Sequence, residues 1–372
     1  MTIRKEKYAY FREKIMSPSI KNRRPIVATF ELTRRCNFHC LHCYIIPDKN
    51  KKELSTRDAM RILDQLRDAG CLHISFTGGE LLLRKDIFKI LDHAKRSGFI
   101  MSLITNGYFI DQKAADRIAS LGNSLGRVNI SVLGATGKTC EKITGRKTSF
   151  EHAIRAIKLL KDRGVNVQML SVLLQENKAE FLAIRKLADK LGVQFKSPYV
   201  IRPKGTGDRS PMSHQVPPGE IDEIDKALPP LSKAGNECLY RKKFSAYSVK
   251  NSLFNCRAGT SAIFISPYGE MNVCLDICEP RYNILRGSIE EGWKLVKDLV
   301  RSQRPTKGYR CRRCVLRPFC GWCPGESWLY AKNFVQCVRV HRENALASAK
   351  RSPAWEKIAP LWERQKIQFY GE

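Results

Sequence analysis

The sequence lacks long apolar runs, and none approaches the roughly eighteen residues that a bilayer-spanning helix needs. The charged start, Met1-Thr2-Ile3-Arg4-Lys5, is not followed by the apolar segment of a signal peptide. Internal repeats and low-complexity tracts are missing as well. We therefore expect a soluble, cytoplasmic globular protein with no membrane association.

Acidic residues are scarce relative to basic ones. The chain has 66 Lys plus Arg against 36 Asp plus Glu, a formal net charge of +30. Such an excess attracts anionic partners. The basic residues are nevertheless spread along the chain, and a solvated surface explains that pattern, so nucleic acid is not the expected partner. Local basic clusters occur at Lys21 to Arg24, Arg202 to Arg209, Arg241 to Lys243 and Arg310 to Arg313.

A disulfide framework is not expected, although the chain has 14 cysteines. Without a secretion signal, closely spaced C-x-x-C pairs indicate metal binding in a reducing compartment. Three cysteines lie between positions 36 and 43 and nine between 238 and 337. Only Cys71 and Cys140 stand between these groups, and we expect both to be ordinary buried thiols.

Six apolar, β-rich runs alternate with amphipathic helical stretches from about residue 26 to residue 228. Consecutive βα units imply a parallel sheet, because each helix returns the chain in the same direction. Curled into a partial (β/α)6 TIM-like barrel, such a sheet gathers its loops at the carboxyl ends of the strands. The predicted strands are Val27–Thr33, His73–Thr77, Ile100–Thr105, Arg127–Val132, Val165–Leu174 and Val193–Val200.

The rest of the chain predicts a second, smaller unit. The segment Ile201–Pro218 is rich in Pro, Gly and Ser and is expected to form a loop. We divide the chain into a basic extension (1–25), the barrel (26–235), a small cysteine-rich α+β domain (236–340) and a helical tail (341–372). Helix breaks are expected at Pro353 and Pro360.

The first cysteine group, Cys36, Cys40 and Cys43, has C-x-x-x-C-x-x-C spacing directly after the first predicted strand. Three thiolates hold three irons of a [4Fe–4S] cluster and leave the fourth iron open to a small molecule. A zinc site would instead need a fourth ligand, which His39 or His42 would supply. The spacing alone leaves both alternatives open.

The second predicted strand ends in Thr77-Gly78-Gly79-Glu80. With this segment and the cysteine triplet, the chain resembles the radical S-adenosylmethionine (SAM) superfamily. The resemblance implies that the three cysteines hold the catalytic cluster and that Gly78, Gly79 and Glu80 grip the amino group of SAM. Glycine permits close backbone approach, and a carboxylate accepts hydrogen bonds from an ammonium group.

Four further polar residues match the superfamily less specifically. Asn106 and Ser131 end the third and fourth predicted strands, and the resemblance implies that they contact SAM, with Arg146 pairing its carboxylate. His42 takes the place of an aromatic residue that packs on adenine. Turn chemistry, helix capping or a surface histidine are the alternatives.

The second cysteine set resembles the SPASM extension of peptide-modifying radical SAM enzymes, which carries two auxiliary [4Fe–4S] clusters. The resemblance implies one cluster on Cys311, Cys314, Cys320 and Cys337, and another on Cys256, Cys274 and Cys323. A treble-clef zinc site on Cys311, Cys314, Cys320 and Cys323 is the alternative.

Two departures from the SPASM pattern matter. Only Gly321 and Trp322 separate Cys320 from Cys323, where the family commonly has three residues. The cluster on Cys256, Cys274 and Cys323 also lacks an evident fourth ligand. Cys238, Cys278 or an open iron that binds substrate remain as alternatives.

The resemblance implies reductive cleavage of SAM, fed by a one-electron donor such as ferredoxin or flavodoxin. The resulting 5′-deoxyadenosyl radical would abstract hydrogen from a peptide or protein, as in a maturase that forms a crosslink or oxidises a side chain. The 25 residues before the barrel are too few for a fused leader-binding domain, so a separate leader-binding protein or the barrel surface would recognise the substrate.

Two other functions stay open at this point. One is cofactor biosynthesis of the tetrapyrrole, quinone or metallopterin type. The other is a non-catalytic nucleic-acid-binding protein that carries a metal cluster, supported only by the charge and by the cysteines between 311 and 323.

Overall fold

A computed structural model describes residues 12–48, 50–227, 252–254, 256–306 and 309–370. Its strands are β1 (Val27–Thr33), β2 (His73–Gly78), β3 (Ile100–Thr105), β4 (Leu125–Ser131), β5 (Val167–Leu170), β6 (Gln194–Lys196), β7 (Ala262–Ile265), β8 (Glu270–Asn272) and β9 (Tyr282–Asn283). They form a sheet in the order β6-β5-β4-β3-β2-β1-β7-β8-β9. None of the helices found in these ranges could span a membrane by length and apolar character.

The helices lie between and after the strands. They are α1 (Ser17–Lys21), α2 (Thr56–Asp68), α3 (Ile87–Arg96), α4 (Gln112–Ala119), α5 (Gly137–Thr144), α6 (Ser149–Lys161), α7 (Phe181–Lys190), α8 (Pro218–Ala227), α9 (Ile289–Ser302), α10 (Pro324–Ala331), α11 (Arg339–Lys350) and α12 (Trp355–Tyr370). Ser55 caps α2, where its hydroxyl accepts a hydrogen bond from the N–H of Asp58.

Strands β1 to β6 pair in parallel, as the alternation of strands and helices predicts. The side chains of Phe30 and Phe76 are completely buried, because helices and the barrel interior cover the two faces of the sheet. The partial TIM-like barrel is confirmed. β5 and β6 are shorter than predicted, since Val165 belongs to the turn after α6, where its N–H donates to the carbonyl of Leu160.

The second half of the chain extends the same sheet. β7 pairs in parallel with β1, from Val27 with Ala262 to Phe30 with Ile265. The hairpin partner β8 and then β9 follow in antiparallel pairing. Gly269 turns the chain between β7 and β8 with φ +75°, a left-handed conformation that favours glycine. The proposed boundary near residue 235 lies outside the described residues, so the division into domains stays a prediction.

The C-terminal tail is helical, with a break at Pro353 as predicted. The break predicted at Pro360 is wrong, because α12 continues through it. Tertiary contacts hold the helix beyond the proline. Trp362 is buried against Leu316 and its neighbours, and the side-chain amide of Gln365 accepts a hydrogen bond from the N–H of Val315 at 2.9 Å.

Replacing Pro360 with alanine should stabilise α12, because alanine restores an N–H that can donate to the carbonyl of Glu356. Proline costs about 3 kcal/mol relative to alanine inside a helix, so amide exchange in α12 should slow. Hydrogen–deuterium exchange of peptides from 355–370 measures this. Pro353→Ala, in the turn before α12, is the control and should leave the exchange unchanged. Equal exchange rates in the two variants would contradict the interpretation.

Candidate active site and cysteine groups

The segment that follows β1 is fixed by Glu53. Its carboxylate accepts a hydrogen bond from Thr33 Oγ1 at 2.9 Å and one from the backbone N–H of Arg34 at 2.7 Å. The guanidinium of Arg35 forms an ion pair with the same carboxylate at 3.2 Å. These contacts fix the path of the backbone between the end of β1 and the cysteine loop (residues 36–43). Sequence reasoning missed Glu53, since a single carboxylate in a loop carries no signal.

Gly78 and Gly79 lie directly against this segment. The N–H of Gly79 donates to the carbonyl of Thr33 at 2.8 Å, and that of Glu80 donates to the carbonyl of Arg35 at 2.9 Å. A Cβ at Gly78 would lie 2.1 Å from the Thr33 oxygen, and one at Gly79 would lie 2.2 Å from the Arg35 oxygen. Side chains are therefore excluded at both positions, and the glycines set how closely β2 approaches the cysteine loop.

Glu80 is completely buried at the end of β2. Its carboxylate accepts hydrogen bonds from Thr105 Oγ1 at 2.7 Å, from the N–H of Asn106 at 2.7 Å and from the N–H of Leu82 at 3.1 Å. Burial raises the pKa of this carboxyl group, and these hydrogen bonds oppose the rise. The carboxylate thus ties the end of β2 to the end of β3. A carboxylate has about four acceptor positions, so one remains for an ammonium group.

The thiols of the cysteine loop are unpaired and close to one another. The N–H of Cys43 donates to the carbonyl of Cys40 at 3.0 Å, which closes a turn. Burial raises the pKa of all three thiols, and the charges of Cys43 and Cys36 raise that of Cys40 further. Burial favours the neutral thiol, and a bound cation would favour the thiolate. Three neighbouring thiols with this property fit an iron–sulfur cluster that keeps one iron open.

Asn106 and Ser131 lie at the same edge of the sheet, at the ends of β3 and β4. Asn106 Nδ2 donates to Asn37 Oδ1 at 2.8 Å and lies 4.0 Å from Cys36 Sγ. The structure therefore brings Asn106 into contact with the cysteine loop, while Ser131 is half-buried at the neighbouring strand end. Their contact with SAM stays a prediction.

Arg146 lies on the exposed side of the cysteine loop. Its guanidinium lies 4.9 Å from the centre of the Tyr108 ring and donates to the Tyr108 hydroxyl at 3.2 Å. The side chain is therefore already engaged by Tyr108. The sequence offered no signal for Tyr108.

His42 is half-buried rather than exposed at the surface. Its Nδ1 is buried and has no hydrogen-bond partner among the described residues. Burial lowers the pKa of His42 to about 4, and the nearby charge of His214 contributes. A neutral, half-buried imidazole whose Nδ1 has no partner among the described residues fits a ring that packs against a bound group, and the adenine contact stays a prediction.

Four cysteines of the second half form one group. Burial raises the pKa of Cys311 to about 12, and the charges of Cys337, Cys320 and Cys314 add to that rise. Burial also raises the pKa of Cys320 to about 12, with contributions from Cys337 and Cys314. These four are the set that the resemblance assigned to one auxiliary cluster.

Cys323 belongs to a different group. Burial raises its pKa well above the ordinary value, and the charges of Glu326, Asp276, Cys256 and Cys274 contribute. The zinc alternative instead groups Cys323 with Cys311, Cys314 and Cys320, and the choice between the two sets stays a prediction. Within the described ranges, no three Cys, His, Asp or Glu side chains are placed to hold a single metal ion. The ligands of a [4Fe–4S] cube lie farther apart than those of one zinc ion.

A buried ionic network joins the barrel to this second group. Arg202 Nη1 donates to Asp276 Oδ1 at 2.9 Å, and its Nε lies 3.6 Å from Glu326 Oε1. Glu326 also contacts His341 Nε2. Burial raises the pKa of Asp276 to about 6, although Arg202 opposes the rise. Sequence reasoning missed this network, and its only signal was the position of Asp276 two residues after Cys274.

Comparison with known proteins agrees with this geometry. Residues 30–188 match the family model of the radical SAM superfamily. This range contains the cysteine loop, the Gly78-Gly79-Glu80 segment and the ends of β3 and β4. The chain contains a radical SAM domain. It is a radical SAM enzyme of the oxidoreductase type, and its cofactors are SAM and a [4Fe–4S] cluster.

Three relatives cover most of this radical SAM enzyme. The subtilosin biosynthesis protein AlbA of Bacillus subtilis is 26% identical, over 88% of this chain and 71% of AlbA. The mycofactocin maturase MftC of Mycobacterium tuberculosis is 27% identical, over 88% of this chain and 87% of MftC. The AdoMet-dependent heme synthase of Methanosarcina barkeri is 23% identical, over 84% of this chain and 95% of the synthase.

A solved structure shares the fold. Streptococcus suis SuiB bound to its precursor peptide SuiA superposes with a TM-score of 0.68 at 17% identity, over 89% of this chain and 79% of SuiB. At this identity the likeness shows the fold alone.

Substituting Gly79 with alanine should remove the SAM-binding cluster, because the added Cβ would overlap the Arg35 carbonyl. After anaerobic reconstitution, we expect the iron content to fall by about four per chain, one cluster of three. Gly219→Ala is the control, since a Cβ there meets nothing within 4 Å. Full iron content and unchanged SAM cleavage in the Gly79 variant would show that the loop does not depend on this contact.

Paired cysteine substitutions test the two groups. Cys314→Ala and Cys337→Ala should remove the same cluster, so the double variant should keep about eight irons, as each single variant does. Cys314→Ala combined with Cys323→Ala should keep only about four. Cys71→Ala, at a buried thiol outside all groups, should lose none. Equal iron content in the two double variants would refute the grouping.

Proposed function

We propose that this radical SAM enzyme modifies a peptide or protein by forming a crosslink or oxidising a side chain. The observation that carries the proposal is the similarity to AlbA and MftC, which extends over 88% of the chain. AlbA serves bacteriocin biosynthesis and MftC is a maturase. The shared fold of SuiB, which binds a precursor peptide, supports the same substrate class.

The residues at the carboxyl edge of the barrel suit this chemistry. When bound, the cluster and SAM together supply a carbon radical that takes a hydrogen atom from the substrate. In our proposal, Cys36, Cys40 and Cys43 hold the cluster, and the backbone at Gly78 and Gly79 approaches SAM. Glu80 holds the strand ends and takes the ammonium group with its remaining acceptor position. Asn106, Ser131 and His42 complete the proposed SAM contacts, and Arg146 pairs with the SAM carboxylate from the exposed side of the cysteine loop.

The two other cysteine groups suit an oxidation that follows hydrogen abstraction. A substrate radical must lose an electron to become a stable product, and iron–sulfur clusters accept single electrons. We propose auxiliary clusters at both groups. Ferredoxin or flavodoxin is the proposed source of the first electron.

The basic segment from Arg202 to Arg209 is paired within the chain and does not support the binding of an acidic leader peptide. Arg202 is engaged with Asp276 and Glu326, and Lys204 pairs with Asp208 at 2.8 Å. Arg209 packs on the ring of Tyr330. A separate leader-binding protein remains part of the proposal for this reason.

The similarity to the heme synthase favours a second candidate, a tetrapyrrole substrate. The discriminating probes are synthetic peptides encoded by short open reading frames beside the gene, and coproporphyrin III. A peptide substrate predicts a product that has lost the mass of two hydrogen atoms for each crosslink.

The central test is anaerobic reconstitution with iron and sulfide, followed by SAM and dithionite. We expect about twelve irons per chain, four for each of three clusters, together with 5′-deoxyadenosine. Cys40→Ala should abolish 5′-deoxyadenosine, while Cys140→Ala, at a buried thiol outside the loop, should not. Bound zinc without SAM cleavage would overturn the proposal. Turnover of coproporphyrin III but of no peptide would favour the second candidate function, a tetrapyrrole substrate.

A further inference from the structure

The group of Cys256, Cys274 and Cys323 supplies three thiols, whereas a fully ligated [4Fe–4S] cluster has four ligands. Cys278 has other recorded neighbours: its Sγ lies 3.7 Å from the carbonyl of Leu275 and 3.8 Å from where a Cβ at Gly205 would lie. The charges that act on Cys278 are those of Arg34, Arg281, Asp276 and Lys332. Cys238 lies outside the described residues.

Asp276 is a carboxylate that lies near the Cys274 thiol of this group. A Cβ at Gly325 would lie 3.3 Å from Asp276 Oδ2 and 3.3 Å from Cys274 Sγ. Gly325 follows Cys323 by two residues, and Cys323 is the N-cap residue of α10. The carboxylate, the Cys274 thiol and the start of α10 therefore meet at one point, where a side chain at position 325 would be tightly packed.

The surroundings of Asp276 stabilise a buried carboxylate anion. The residue is 5% exposed, and Oδ1 accepts a hydrogen bond from Arg202 at 2.9 Å. A buried carboxylate needs such a partner to stay charged. The charge of Asp276 also acts on all three thiols of the group, so it lies within electrostatic reach of each.

The other nearby carboxylate is already engaged. Glu326 contacts His341 and lies 3.6 Å from Arg202. Arg202 holds Asp276 through Oδ1, while Oδ2 faces the Cys274 thiol across Gly325. Among the two carboxylates, the geometry therefore singles out Asp276.

We propose that Asp276 is the fourth protein ligand of the auxiliary cluster on Cys256, Cys274 and Cys323, bound through Oδ2 while Arg202 holds Oδ1. This rests on the auxiliary clusters of the proposed function. An anionic carboxylate keeps the ligand charge that a thiolate would supply, and iron sites in proteins accept carboxylate ligands. A cluster closed in this way transfers electrons and leaves no iron open for a substrate thiol.

The test uses the full chain with Cys36, Cys40 and Cys43 replaced by alanine, so that only auxiliary clusters contribute. In this background Asp276→Asn should lose about one of eight irons and give the electron paramagnetic resonance signal of an oxidised three-iron cluster. Asp276→Cys should keep all irons and shift the midpoint potential of one cluster only. The second variant keeps the test decisive if the first fails to fold.

Two control variants separate the alternatives. Cys278→Ala and Glu326→Gln should leave the iron content and the resonance signal unchanged. A three-iron signal in the Cys278 variant, or no change in either Asp276 variant, would overturn the assignment. Failure of the proposed function is seen separately, because the unsubstituted chain would then hold fewer than about twelve irons or would not cleave SAM.

Discussion

The backbone contact between Gly78-Gly79-Glu80 and the segment after β1 is the constraint on which the active site depends. Two N–H groups of this segment bond to the carbonyls of Thr33 and Arg35, and neither glycine has room for a Cβ. The carboxylate of Glu80 in turn links β2 to the end of β3, because it accepts hydrogen bonds from Thr105 and Asn106. The cysteine loop has little regular structure of its own, so its shape follows from these hydrogen bonds between strand ends.

The strand bounds of the barrel were predictable where a hydrophobic run ends at polar residues. The bounds of β1 and β3 agree with the sequence prediction, since both are buried strands followed by polar residues. β5 is shorter than its apolar run, because apolar residues such as Val165 also occur in buried turns. The assignment of the cysteines to two auxiliary clusters rests on the resemblance and stays a prediction, since spacing alone would have joined Cys320 with Cys323.

Contacts between distant segments were not predictable. Arg202 and Asp276 are 74 positions apart, and basic residues beside a Pro-rich loop usually indicate a solvated surface. The fold instead turns Arg202 inward, where it balances two buried carboxylates. Glu53 is a similar case: its role appears only once β1 and the loop before α2 are seen together. At Pro360 the sequence led to the opposite error. Proline usually breaks a helix, but here the packing of Trp362 and the hydrogen bond of Gln365 hold the helix beyond it.

The pairing of β1 with β7 makes the two halves of the chain parts of one sheet. Four consecutive positions of β1 pair with β7, so the strand that leads into the cysteine loop has the second half as its direct neighbour. Without β7, this side of β1 would be an unprotected edge, which invites aggregation. Backbone hydrogen bonds therefore join the barrel directly to the second half of the chain, through the same strand that leads into the cysteine loop.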